Sequence, residues 1–231
     1  MKYKYKQYGT PVSPPLEGLG EALPSSERLG EASPLLRRGR GRPTIGIFGG
    51  SFNPIHNGHI QLVRSLREAA GLDEVWLMVS PQNPLKRQAD LLDDDLRLQL
   101  ARQAVGGEQG IVVSDYEFHL PRPSYTWNTL QALERDFPDR ELVLMIGGDN
   151  WERFQHWYRA DDIVARYPIV VYPRRDNDID RTTLPPMVKV VEAELLDISS
   201  TDIRRRVREG KTIAGMVPDT ILTAVTAYYA R

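Results

Sequence analysis

The chain has 231 residues, 41% of them hydrophobic and 26% charged, a balance that excludes both a fully disordered and a membrane-embedded polypeptide and suits one core of ordinary size. It contains no cysteine, so disulfides, thiolate metal sites and cysteine nucleophiles drop out together, and a reducing cytoplasm fits. The net charge of -1, from 30 basic and 31 acidic residues, provides no overall field to recruit nucleic acid or an anionic membrane, so neither is expected as a partner.

Residues 1 to 43 differ in kind from the rest. They carry eight Lys/Arg against four Glu, six Gly and six Pro, and they repeat Leu-Gly-Glu-Ala at Leu19 to Ala22 and Leu29 to Ala32. With no sustained apolar periodicity, this stretch reads as a disordered basic Gly/Pro-rich extension. Lys2, Lys4 and Lys6 are not followed by the apolar run of a secretory signal, and the Arg37, Arg38, Arg40, Arg42 cluster reads as solvated linker rather than a nucleic-acid arm.

From Thr44 onward, short apolar runs alternate with amphipathic stretches. Strands are predicted at Thr44 to Phe48, Glu74 to Val79, Ile111 to Ser114, Leu142 to Ile146 and Ile169 to Tyr172, with a weaker one at Val188 to Val191. Helices are predicted at Asn57 to Ala70, Asp93 to Val105, Thr126 to Phe137, Trp151 to Phe154, Asp161 to Ala165, Ser200 to Glu209 and Pro218 to Tyr229. Strands separated by crossovers are normally parallel and right-handed, which implies a doubly wound α/β parallel sheet with ligands at the strands' carboxyl ends.

The exit of the first strand reads Gly49-Gly50-Ser51-Phe52-Asn53-Pro54-Ile55-His56-Asn57-Gly58-His59. Gly49 and Gly50 allow a ligand close to the backbone, Asn57 or a neighbour caps the helix that follows, and exposed amides at its start favour an anion. His56 and His59 then lie on one side of that helix mouth, beside a bound phosphate. A zinc pair would need further ligands, for which only His119, His156 or carboxylates remain, at no suggestive spacing. A Walker loop is excluded, because no Lys-Ser or Lys-Thr follows the glycines. Far along the chain, Ser199, Ser200 and Thr201 offer helix caps with Arg204 one turn inside, which is a second anion site or an ordinary solvated surface helix.

The first run resembles the His-x-Gly-His signature of the nucleotidyltransferase superfamily, and specifically of bacterial nicotinate-nucleotide adenylyltransferases. Ile198-Ser199-Ser200-Thr201-Asp202-Ile203-Arg204 resembles that family's Ile-Ser-Ser-Thr-x-Ile-Arg motif. The resemblance covers residues 44 to 231 and implies a single Rossmann-like nucleotidyltransferase domain there. It places Gly49, Gly50, Ser51, Phe52, His56, His59, Asp149, Ser200, Thr201 and Arg204 around ATP, with His56, His59 and Arg204 as the catalytic set.

For the second substrate, the resemblance points to Pro123-Ser124-Tyr125-Thr126, where Tyr125 and Thr126 would meet the nicotinate carboxylate, and to Trp157, which would stack on the pyridine ring. Asn83 and Lys86 lie in a loop where many relatives have Pro-x-His-Lys, but Leu85 replaces the histidine, and Lys86 or Arg87 is left to meet a phosphate. Arg174, or Arg175 beside it, matches an arginine near the nucleotide phosphates.

The implied reaction transfers AMP from ATP to the 5'-phosphate of nicotinate mononucleotide, giving nicotinate adenine dinucleotide and pyrophosphate in NAD biosynthesis. Mg2+ is expected with ATP, held mainly by phosphates and water, with no protein metal site. Nicotinamide mononucleotide and phosphopantetheine are the rival acceptors, and a non-catalytic nucleotide sensor is the rival class. No feature of the sequence marks an oligomeric interface.

Overall fold

The computed structural model describes residues 41–81, 91–173 and 179–230. Six strands form one sheet: β1 (Thr44–Gly50), β2 (Glu74–Val79), β3 (Ile111–Ser114), β4 (Glu141–Gly147), β5 (Ile169–Tyr172) and β6 (Val188–Val190), in the order β3-β2-β1-β4-β5-β6. Every neighbouring pair is parallel. Between and after the strands come α1 (Asn57–Ala70), α2 (Asp94–Ala104), α3 (Thr126–Asp136), α4 (Gly148–Trp151), α5 (Ala160–Arg166), α6 (Ser200–Arg208) and α7 (Asp219–Tyr229). This is the doubly wound parallel sheet expected from the sequence, with β1 and β4 adjacent at its centre.

The strand pleat divides the interior into two cores. Ile45 and Ile47 of β1, with Leu142, Leu144 and Ile146 of β4, face a core completed by Leu130 and Leu133 of α3 and Ile163 of α5. Phe48, Val143 and Met145 face the other way, onto Leu62, Val63 and Leu66 of α1, Leu98 and Leu100 of α2, Ile203 of α6 and Ile221 and Val225 of α7. Side chains alternate across each strand, so both faces are apolar and each needs its own layer of helices. Helices that cover opposite faces leave a crevice beyond the carboxyl ends of β1 and β4, where the winding reverses.

One local expectation is corrected, and two details are added to the rest. The helix predicted at Trp151 to Phe154 instead begins at Gly148, directly off β4, and Phe154–His156 forms a separate 3-10 turn. Two consecutive glycines hide that helix start in the sequence, whereas Asp149 suits its amino end. A 3-10 turn at Tyr116–His119 was not predicted. The cap of α1 is His56, whose Nδ1 accepts from the His59 amide at 3.3 Å. Asn57 is engaged elsewhere, its amide donating to Met216 O at 2.9 Å and its Nδ2 to Gly215 O at 2.8 Å.

Among the described residues no helix is long and apolar enough to cross a membrane. Ile203 is wholly buried and fixes α6 to the sheet. Ile203→Ala is expected to cost about 2–5 kcal/mol through lost burial and a residual cavity, read from the urea midpoint; a loss near zero would mean that α6 is held by its polar contacts alone.

Candidate active site

The turn from β1 into α1 is the structural centre of the crevice. Gly49 is exposed and has open space where a side chain would stand. Phe52 is buried at 2% exposure with a φ of 43°, a left-handed conformation that bulky residues rarely adopt and that costs on the order of 1–3 kcal/mol. Its ring meets His59 edge-on at 5.2 Å. His56 and His59 stack on each other with centroids 3.6 Å apart and planes 26° apart. Gly58 makes this possible, because a Cβ there would stand 3.0 Å from His56 Nδ1 and 3.2 Å from its Cε1. With Nδ1 accepting the His59 amide, a neutral His56 ring carries its proton on Nε2.

The Ile198 to Arg204 motif docks onto this turn. Ser199 caps α6 by accepting from the Asp202 amide at 3.1 Å. Ser200 Oγ donates to Pro54 O at 2.8 Å, and Arg204 Nη1 donates to Asn53 O at 2.8 Å while Nη2 reaches Thr201 Oγ1 at 3.3 Å. Arg204 Nε is buried and has no hydrogen-bond partner among the described residues. The far end of α7 supports the same turn through Tyr229, whose hydroxyl donates to Asn53 Oδ1 at 2.6 Å. The two motifs therefore share one place, with α6 bonded to the backbone of Asn53 and Pro54 just before the two histidines.

At the end of β4, the Asp149 carboxylate folds over Gly147, where a Cβ would stand 2.6 Å from Oδ1 and 3.2 Å from the Tyr172 hydroxyl. Trp157 is half-buried against Phe154, with ring centroids 5.3 Å apart. Its neighbour Tyr158 is 51% exposed and lies with its ring 5.0 Å from that of Tyr125, the residue that precedes α3. Thr126 opens α3, whose first turn contains no acidic residue; the same holds for α1. Asn83, Lys86, Leu85, Arg87, Arg174 and Arg175 lie outside the described residues, as do residues 1–40. Among the described residues no three His, Asp or Glu side chains are grouped to hold a metal ion.

Two charged residues that sequence reasoning passed over are buried here. Arg97 of α2 is fully buried. Glu117, in the 3-10 turn after β3, accepts from Ser80 Oγ at 2.7 Å and Thr129 Oγ1 at 2.9 Å, with Ser124 Oγ at 3.5 Å, so it underlies the Pro123 to Thr126 segment. Burial pushes its carboxyl above the usual range, outweighing the three hydroxyls that favour the charged form.

Residues 47–206 match the family described as Cytidylyltransferase-like. The chain is 52% identical over 168 residues, 73% of its length and 84% of the relative's, to a Bacteroides fragilis protein named "Probable nicotinate-nucleotide adenylyltransferase". A Flavobacterium johnsoniae protein of the same name is 40% identical over 176 residues, covering 75% of this chain and 91% of its own. The solved structure of Plasmodium falciparum nicotinic acid mononucleotide adenylyltransferase complexed with NaAD has the same fold, with a TM-score of 0.68 at 18% identity over 82% of this chain and all of that one.

Because the folded state raises the Glu117 pKa, the stability this group contributes is complete below the ordinary value of 4.5 and is lost as pH climbs through the raised value. Glu117→Gln, which cannot ionise, should therefore gain on the wild type as pH rises from that value towards neutrality. Urea unfolding of both across that range checks this, and a stability difference independent of pH would count against it.

Proposed function

The chain belongs to the Cytidylyltransferase-like family and stands among its nicotinate-nucleotide adenylyltransferases, and on that premise we propose that it transfers AMP from ATP to the 5'-phosphate of nicotinate mononucleotide, in NAD biosynthesis. The products are nicotinate adenine dinucleotide and pyrophosphate. One observation carries the reading: α6 is hydrogen-bonded to the backbone of the turn that holds the two stacked imidazoles, so that a single triphosphate can meet both motifs. Residues 44–231 form the transferase domain in this reading, and residues 1–43 lie outside it.

The acceptor phosphate is already anionic near neutral pH and attacks the α-phosphorus directly, so no base has to create the nucleophile and no covalent enzyme intermediate forms. The bond from the acceptor oxygen to the α-phosphorus forms as that from the α-phosphorus to the β-bridging oxygen breaks, and the electron pair leaves with pyrophosphate. The protein's task is alignment and charge stabilisation, which can lower a barrier by about 7–11 kcal/mol. His56 and His59 face the α- and β-phosphates at the amino end of α1, where backbone dipoles favour an anion. Arg204, with Ser200 and Thr201, receives the departing pyrophosphate; two of its five donors are engaged in the bonds described above, which leaves three.

Gly49, Gly50, Ser51 and Phe52 line the approach to ATP, and Asp149, beside Gly147, lies at the ribose and adenine. Tyr125 and Thr126 hold the nicotinate carboxylate at the first turn of α3, and Trp157 supplies the flat face for the pyridine. The family resemblance adds Asn83, Lys86 or Arg87, and Arg174 or Arg175 to the substrate contacts. Mg2+ would enter with ATP, held mainly by phosphates and water, since the described residues around the two motifs offer ring nitrogens, a guanidinium and hydroxyls and no group of three carboxylates or histidines to hold it. The cytoplasm is the expected setting.

A panel of nicotinate mononucleotide, nicotinamide mononucleotide and phosphopantetheine with ATP, read by pyrophosphate release, tests the reading directly. Nicotinate mononucleotide is expected to be the best acceptor, and ATP binding without pyrophosphate from any acceptor would leave a nucleotide sensor instead. His59→Ala should stay folded and lose about 100-fold or more in kcat, the scale of a lost transition-state donor; normal turnover by the folded variant would remove the phosphate role. Trp157→Ala should raise KM for nicotinate mononucleotide about 2- to 12-fold, the worth of an aromatic stack, with a smaller change for ATP. Equal shifts in both would argue against stacking.

A further inference from the structure

Arg97 is a charged side chain at 0% exposure, on the first turns of a helix that contributes no residue to the proposed site. Its guanidinium is spent on four acceptors in three segments. Nη1 donates to Ser51 O, in the turn after β1, and to Ser80 O, directly after β2, at 3.0 Å for the latter. Nε donates to Leu92 O at 2.9 Å, and Nη2 to the Asp94 carboxylate. Asp94 in turn accepts from Arg122 Nη2 at 2.9 Å, immediately before the Pro123 to Thr126 segment. Ser80 makes the second connection, since its hydroxyl donates to Glu117, which also takes the hydroxyls of Ser124 and Thr129.

Burying a cation is costly unless every donor is met, and a helix surface residue could simply have pointed to water. What the burial secures is geometric. Backbone carbonyls of the ATP-side turn and of both flanks of residues 81–91 converge on one rigid planar fork, and two hydrogen-bonded routes lead from that fork to the acceptor segment. A lysine at this position would keep the charge but has neither the planar fork nor the reach to hold four acceptors at once.

We propose that Arg97 is the positioning residue that sets the separation between the turn holding the ATP phosphates and the segment holding the nicotinate end of the acceptor. It touches neither substrate. The inference rests on the adenylyl-transfer reading, since only a reaction between two bound anions gives that separation a meaning. A group that fixes only relative placement should matter little to the binding of either substrate alone and much to their reaction, because a displacement of about 1 Å can cost 100-fold in rate.

The test uses the full-length protein and the variants Arg97→Lys and Arg122→Gln, with calorimetric binding of ATP and of nicotinate mononucleotide measured separately, kcat and KM from pyrophosphate release, and Tm. For folded Arg97→Lys, each single-substrate Kd should stay within about threefold of wild type while kcat falls about 100-fold. Arg122 is exposed at the surface, so Arg122→Gln, which cuts one of the two routes, should leave Tm and each single-substrate Kd unchanged and lower kcat about tenfold. If Arg97→Lys does not fold, Arg122→Gln decides alone. The proposal is overturned if folded Arg97→Lys turns over within threefold of wild type, if it loses ATP binding by itself, or if Arg122→Gln is kinetically silent. A wild type that releases no pyrophosphate with any acceptor would instead bring down the functional reading, and this inference with it.

Discussion

Two hydrogen bonds that span most of the domain hold the site together: Ser200 Oγ to Pro54 O and Arg204 Nη1 to Asn53 O, over 146 and 151 positions of sequence. Both acceptors are main-chain carbonyls, so the bonds fix the path of the turn itself. That turn needs fixing, because Phe52 holds a left-handed φ and such strain persists only where the surroundings over-determine it. Here the surroundings are α6 on one side, the Tyr229 hydroxyl on Asn53, and the His56 cap on α1. Buried Ile203 secures α6 from below. One packing arrangement thus places both groups that a triphosphate would meet.

The sheet determines why this happens where it does. β1 and β4 are neighbours whose following helices cover opposite faces, so their carboxyl ends border open space. Beyond the first 43 residues the chain has 22 basic and 27 acidic groups, a negative balance that does not attract polyanionic substrates by long-range field. Attraction has to be local. In the proposed reaction the amides of α1, the fork of Arg204 and the imidazole pair would supply it within a few residues of one turn, where screening by salt acts least.

The legible parts of the sequence were those where residue chemistry is unusual at short range. Glycines, a proline and two histidines in eleven positions mark a turn against a ligand, and apolar alternation such as Ile45, Ile47 against Phe48 marks a strand between two cores. What escaped depends on tertiary partners. Arg97 sits among Asp93, Asp94 and Asp95 and looks like any solvated helix residue; its burial is decided by carbonyls at positions 51, 80 and 92. Glu117 is similarly ordinary in sequence, and its hydroxyl partners arrive from β2's exit and from α3. The cap of α1 was legible only as Asn57 or a neighbour; His56 takes it, because the amide and Nδ2 of Asn57 donate to the chain at Met216 and Gly215.

The distribution of acids at helix starts carries the same logic into electrostatics. α2, α5, α6 and α7 each have an acidic residue in the first turn, which offsets the positive end of the helix dipole from within the chain. α1 and α3 have none. In the proposed reaction these two helices would begin where the substrates present an anion, and their amino ends carry no acidic residue of their own to offset the dipole. Glu117 would oppose this, because it lies beneath the start of α3. Burial raises its pKa, and the hydroxyls of Ser80, Ser124 and Thr129 all donate to its carboxyl, so it braces the segment through bonds that the protein itself supplies.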